Sequence, residues 1–127
     1  PDVMEELLEK RLADYIAMDF KAPFHKYSSV AGTMVDTRAI EKTARLIMNG
    51  GDFDYEFRTT VVQSQLAPAD ICEIARTIHG AKRYILQKYV PNSPLDPALQ
   101  TGKSYGDNQF EEIIQHIRQH AGECFVR

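Results

Sequence analysis

The sequence predicts an α/β protein with a parallel sheet, because helical and strand segments alternate along most of its 127 residues. The lengths of the connections are the second observation. Connections from helix to strand span a few residues, whereas two from strand to helix, 21–36 and 90–106, are long. In parallel α/β folds the loops after the strands emerge at one end of the sheet and carry the binding site. Loop length therefore predicts the functional face at the carboxyl ends of the strands.

The helices are predicted from apolar residues at helical spacing together with capping residues at their ends. They are one at 2–12 opened by a capping box of Asp2 and Glu5, one capped by Asp36 or Thr37 and ended at 49–51, one from Pro68 to Gly80, and one capped by Asp107. The strands are predicted from short apolar, aromatic or β-branched runs at 13–20, 55–62, 83–89 and 124–126.

The first two predicted strands each turn charged side chains toward one side of the sheet. Asp19 and Lys21 share a side of the first strand, and Glu56 and Arg58 share a side of the second. If the apolar sides meet the helices, the charged sides face an interior, as in a barrel, whereas a flavodoxin-like sheet buried on both faces would not tolerate them. The charges either form a ligand site or pair with one another in a structural network, and the sequence leaves both interpretations open.

Charge and composition exclude several classes of function. The net charge of −3 without a basic stripe argues against a nucleic-acid or anionic-membrane binder, and the apolar runs are too short to span a bilayer, so we expect a cytoplasmic protein. Cys72 and Cys124 lack the spacing of a zinc site or a disulfide framework. His116 and His120 stand four residues apart but fall off the apolar stripe of their helix. No metal site is predicted.

Four segments carry a resemblance to a known family: DFKAP at 19–23, YEFRTTVV at 55–62, AKRYILQKYVP at 81–91 and LDP at 95–97. With them the chain resembles the C-terminal half of radical S-adenosylmethionine (SAM) activating enzymes. It is most like the activating protein of anaerobic ribonucleoside-triphosphate reductase and is related to pyruvate formate-lyase activating enzymes. The resemblance spans nearly the whole chain, and 55–62 is its most specific part. Family members often have Pro where Gln63 stands and Gln where Lys88 stands.

The resemblance implies a (β/α)6 partial TIM barrel, of which residues 1–127 form, as a single domain, the C-terminal part of the core: a parallel half-barrel. In such activases an N-terminal CxxxCxxC loop holds a [4Fe–4S] cluster, and reductive cleavage of SAM yields a radical that is passed to a glycine of a partner glycyl-radical enzyme. That loop is absent here, and two cysteines cannot replace its three thiolates. We therefore expect this fragment, by itself, to be inactive, without catalytic residues and unable to bind the cluster.

The resemblance also implies which residues lie near the cofactor. Asp19 and Lys21 resemble the acid-x-Lys pair after the fourth barrel strand, Arg58 matches the arginine of the fifth, and Gln87 is a weaker candidate. We predict that Asp19, Lys21 and Arg58 converge at one end of the sheet. Without the preceding barrel strands, the edge of the first predicted strand would be open, which predicts self-association edge to edge; the alternative is that the opening helix and the long loop after this strand cover the edge. The alternative is a stand-alone, non-catalytic α/β module that binds a metabolite or a protein partner.

Overall fold

The computed structural model describes residues 2–9, 14–51, 53–89 and 103–127. Helices and strands alternate, and the predicted α/β class is confirmed. The elements are α1 (Asp2–Glu9), β1 (Tyr15–Asp19), a 3-10 turn (Phe24–Lys26), α2 (Tyr27–Ala31), α3 (Thr37–Asn49), β2 (Asp54–Val61), α4 (Pro68–Thr77), β3 (Ala81–Lys88), α5 (Asp107–Ile117) and β4 (Ala121–Val126).

The four strands described form one parallel sheet in chain order, β1-β2-β3-β4. When successive right-handed crossovers all run in the same direction across a sheet, their helices lie on one face. In the described part of the chain, α3, α4 and α5 pack their apolar residues against one face of the sheet, and we call the opposite face, which carries Tyr15 and Glu56, the concave face. The register places Asp19 directly beside Arg58 at the carboxyl ends of β1 and β2. The sheet therefore presents these two side chains at the end where the strand-to-helix loops emerge.

The core lies between the sheet and its helices. Strand residues Ile16, Phe57 and Tyr84 are buried there against the apolar stripes of α3, α4 and α5. Side chains of β1 alternate between the core and the concave face: Ile16 is buried, whereas Tyr15 beside it is 48% exposed. The alternation predicted for β1 is confirmed.

Several predicted boundaries differ from the structure. Gly106, and not Asp107, is the N-cap of α5, and its N–H donates to Gln109 Oε1 at 2.9 Å. Asp107 lies in the first turn, where its carboxylate pairs with Lys88 at 2.8 Å. The loop 21–36 contains the 3-10 turn and α2, which no amphipathic pattern predicted. Residues 10–13 and 90–102 lie outside the described residues. They include the end of the predicted helix 2–12, the first residue of the predicted strand 13–20, most of the predicted loop 90–106 and the LDP segment at 95–97.

Within the described sheet, β1 and β4 are the edge strands. Self-association through the β1 edge stays a prediction. No helix among the residues described is long and apolar enough to cross a membrane.

A buried carboxylate holds the start of α4. Asp70 Oδ2 accepts a hydrogen bond from the Ala67 N–H at 2.8 Å and from Lys26 Nζ at 2.7 Å. Burial by itself would raise the pKa of Asp70, but the bonds from Lys26 and from the Ala67 N–H outweigh it and hold that pKa below its ordinary value. Asp70 thus joins the loop after β1 to the helix after β2.

We expect Asp70→Asn to lower the free energy of unfolding at pH 7 by about 1–3 kcal/mol, since it removes the charge of a mostly buried carboxylate that is paired with Lys26. Because the folded pKa of Asp70 is depressed, its stabilisation is fully present above the ordinary carboxyl pKa of about 4 and is lost as pH falls through the lower folded pKa. Urea unfolding at pH 7 and at about pH 2, well below the ordinary carboxyl pKa, measures both effects. Glu41→Gln, which breaks the exposed Glu41–Arg45 pair, is the control and should cost under about 0.5 kcal/mol. A cost for Asp70→Asn that does not shrink at low pH would contradict the ionic account.

Candidate functional site

A cavity of about 180 Å³ opens at the carboxyl ends of β1 and β2. Its walls come from both strand ends, from α2 and from the loops that follow β2 and β3. They are formed by Asp19, Phe20, Lys21, Val30, Arg58, Thr60, Val62, Gln65 and Tyr89. Asp19, Lys21 and Arg58 therefore converge as the sequence predicted. Their role as cofactor ligands stays a prediction.

Arg58 is the side chain with the clearest unused hydrogen-bonding capacity in this cavity. Its Nη2 lies 3.1 Å from Asp19 Oδ1, while its Nε is buried and has no hydrogen-bond partner among the described residues. A guanidinium has five N–H donors in a planar fork, and a buried donor without a partner costs free energy. The ion pair with Asp19 thus orients Arg58 and leaves N–H groups for a further acceptor.

Lys21 brings a second positive charge to the same cavity. Its backbone N–H donates to Tyr27 Oη at 3.3 Å, which fixes the chain just beyond β1. Burial is the main reason that the pKa of Tyr27 lies above its ordinary value, so the phenol stays protonated. Within the described ranges, Lys21 takes part in none of the ion pairs. Its ammonium group is available to an anionic ligand.

Gln87 does not line the cavity, but it contacts Thr60, which does. It lies beside Thr60 in the β2–β3 register, and the Thr60 hydroxyl donates to Gln87 Oε1 at 3.3 Å. Thr60 is a lining residue that the sequence analysis did not name, although its side-chain parity with Arg58 could have indicated it. Val30 was missed because α2 was not predicted.

The charges on the concave face divide into separate groups. Asp19 pairs with Arg58, as the structural-network interpretation allowed. Glu56, whose side chain is 5% exposed, instead accepts from the Tyr15 hydroxyl and lies 3.3 Å from Arg127 Nη1. Glu56 therefore belongs to a different polar cluster, deeper along the strands, and contributes no wall to the cavity.

A protein named as an activating enzyme is similar in sequence to this chain. No family model matches the chain. Over 130 aligned residues the chain is 26% identical to a protein of Methanocaldococcus jannaschii named as a glycyl-radical enzyme activating enzyme. The resemblance to glycyl-radical activating enzymes is confirmed. The match covers 100% of this chain and 54% of the relative, so the chain spans about half the length of that curated protein.

A solved structure shares the fold. A domain of pyruvate-formate lyase-activating enzyme from Bacteroides vulgatus superposes with a TM-score of 0.75 at 14% identity, over 99% of this chain and 73% of that one. At that identity the likeness concerns the fold alone. It confirms the predicted fold class, with a parallel sheet consistent with a partial barrel of the activating-enzyme type.

The cysteines do not fit the iron–sulfur cluster associated with activating enzymes. The chain has two, Cys72 on α4 and Cys124 on β4, and both are half-buried. Burial raises the pKa of the Cys124 thiol, which disfavours the thiolate that a cluster requires. That this chain by itself cannot bind the cluster stays a prediction.

His25 lies close to two carboxylates, which the spacing of the histidines in the sequence did not predict. His25, Asp70 and Glu73 have potential ligand atoms within 4.8 Å of one another. Lys26 already supplies a cation to Asp70 at 2.7 Å, so we do not assign a metal site there. This group was missed because it joins the 3-10 turn to α4, elements far apart in sequence.

A larger cavity, about 500 Å³, lies along α3. It is lined by Arg38, Glu41, Lys42, Arg45, Leu46, Asn49 and Gly50, which belong to one helix and its end. The cavity at the ends of β1 and β2 is smaller, but several elements meet there at the carboxyl end of a parallel sheet, and it holds the Arg58 donor that lacks a partner among the described residues. We therefore place the candidate site at the strand ends.

Proposed function

We propose that this chain is the C-terminal half of the radical SAM core of a glycyl-radical activating enzyme, and that the cavity at the ends of β1 and β2 binds the amino-acid end of SAM. The observation that carries the proposal is the buried Nε of Arg58 beside Asp19, which has no hydrogen-bond partner in the described part of the chain. The similarity of the whole chain to about half of a protein named as an activating enzyme supports the same assignment.

The charges of the cavity complement those of an α-amino acid. A zwitterionic amino acid presents an ammonium group, which needs acceptors, and a carboxylate, which needs donors. Asp19 is 58% exposed, so it keeps oxygens for the ammonium while it pairs with Arg58. Arg58 and Lys21 supply donors for the carboxylate, and Thr60, joined to Gln87, adds a hydroxyl at the rim.

The volume of the cavity limits how much of the ligand it holds. At about 180 Å³ it is smaller than the roughly 300 Å³ at which sites for whole small molecules begin. It fits one end of SAM, and the remainder would contact the other half of the barrel. We therefore expect this chain alone to bind SAM weakly.

The cofactors supply the radical chemistry, and the residues of this chain bind and orient SAM. With its cluster, SAM supplies one-electron chemistry that the protein cannot perform. Asp19, Lys21 and Arg58 hold the amino-acid end of the molecule, and the apolar walls Val30 and Val62 exclude water beside it. The partner that receives the radical is a glycyl-radical enzyme, and the setting is anaerobic and cytoplasmic.

The reading frame upstream of residue 1 tests this proposal. We expect a CxxxCxxC segment within about 100 residues, the length of one half-barrel. The joined polypeptide, reconstituted with iron and sulfide, should show cluster absorbance and cleave SAM, whereas residues 1–127 alone should do neither. A reading frame that opens at residue 1, or a stable [4Fe–4S] spectrum from residues 1–127, would contradict the proposal. The first outcome would favour a stand-alone binding module.

A further inference from the structure

We propose that Tyr84 and Thr59 form a positioning relay, in which two buried hydroxyls fix the backbone between Asp19 and Lys21 and so set the geometry of the cavity. The relay acts on the ligand through Asp19 and Lys21, so its effect on binding rests on the proposed function. Tyr84 and Thr59 do not line the cavity themselves.

The relay connects Tyr84 on β3, through Thr59 on β2, to the end of β1. Thr59 Oγ1 lies 2.6 Å from the Phe20 carbonyl oxygen and 2.6 Å from Tyr84 Oη. Tyr84 and Phe20 are fully buried, and Thr59 is 1% exposed. Water cannot replace either bond without opening the core, so a lost hydroxyl would leave a buried carbonyl without its donor.

The direction of the relay follows from the number of protons. A carbonyl oxygen only accepts, so the single hydroxyl proton of Thr59 is donated to Phe20. Thr59 Oγ1 must then accept from Tyr84, whose phenol is the donor at the start of the relay. Burial holds the pKa of Tyr84 well above its ordinary value, which keeps that proton in place.

The relay acts where the β1–β2 ladder ends. The Phe20 N–H makes the last ladder bond, to the Arg58 carbonyl at 2.7 Å, and the Phe20 carbonyl turns to Thr59 instead. On the other side Lys21 N–H is held by Tyr27. Since Asp19 and Lys21 flank Phe20, this fixed peptide sets where their side chains enter the cavity.

The test uses three variants. Thr59→Val removes both bonds with little change of shape, and Tyr84→Phe removes only the bond between Tyr84 and Thr59. Thr59→Ser keeps the hydroxyl. In Thr59→Val we expect amide hydrogen exchange at Phe20 and Lys21 to accelerate about tenfold, and SAM affinity measured by NMR titration to fall about three- to tenfold. Tyr84→Phe should show smaller changes in the same direction, and Thr59→Ser should restore both to near the wild-type values.

Thr77→Val is the matched control, because it removes an exposed hydroxyl-to-carbonyl bond on α4, from Thr77 to Glu73, and should leave both readouts unchanged. If Thr59→Val fails to fold, Tyr84→Phe and Thr59→Ser decide the question. Folded Thr59→Val with unchanged exchange at 20–21, or Thr59→Ser that behaves like Thr59→Val, would overturn the relay. If the wild-type chain binds no SAM, the proposed function fails, and the exchange rates alone decide whether the relay positions this segment.

Discussion

Replacing Arg58 with methionine is expected to weaken SAM binding by about 10- to 100-fold, the range for losing a hydrogen-bonded charged donor at a partly buried site. The physical reason is that Arg58 is held by Asp19 at 3.1 Å and still has a buried donor without a partner in the described structure. Methionine keeps the apolar stem that lines the cavity and removes every donor. NMR titration with SAM measures the loss.

Two further variants separate charge from geometry at this position. Arg58→Lys keeps the charge but not the planar fork, and we expect it to recover only part of the affinity. Arg45→Met removes an arginine from the exposed Glu41–Arg45 pair on α3 and should leave the affinity unchanged. Equal losses for Arg58→Met and Arg45→Met would mean that net charge, and not the cavity, governs binding.

Phe20→Ala is expected to lower the free energy of unfolding by about 3–5 kcal/mol, the usual cost of deleting a buried phenylalanine side chain. The Phe20 side chain is fully buried, and its ring packs against those of Phe24 and Tyr27, each with centroids 5.8 Å away. These contacts join β1 to the loop that carries α2. The loss of stability should therefore come with loss of the cavity wall that α2 supplies.

Urea unfolding followed by circular dichroism measures this cost. The control is Met34→Ala in the same connection, because Met34 is 91% exposed and its truncation should change the free energy of unfolding by under about 0.5 kcal/mol. A cost for Phe20→Ala close to that of the control would show that the loop is not packed on β1 as described.

The sequence alone predicted the parallel sheet and the convergence of Asp19 and Arg58 at the carboxyl ends of its strands. Alternation in β1 predicted that Asp19 shares a side with Lys21, and parallel strands that end together bring Arg58 beside Asp19. These are local patterns combined with one rule of topology. They also carried the resemblance that comparison with a named activating enzyme confirms.

The features that were missed depend on contacts between distant segments. The five residues of α2 are too few to show a helical stripe, so Val30 could not be placed in the cavity. Asp107 has the composition of a cap, but the Gln109 side chain bonds the Gly106 N–H and moves the boundary by one residue. The Thr59 hydroxyl bonds across strands, which no spacing in the chain indicates.

The most direct test of the account is a titration of SAM into the isotopically labelled chain, followed residue by residue by NMR up to about 10 mM, where weak binding is detected. The account predicts saturable shifts at residues 19–21 and 58–60, with smaller shifts at Gln87, and predicts that in Arg58→Met the same shifts need about 10- to 100-fold more SAM. Shifts centred instead on the α3 cavity at 38–50, or no saturable change at the ends of β1 and β2, would contradict it.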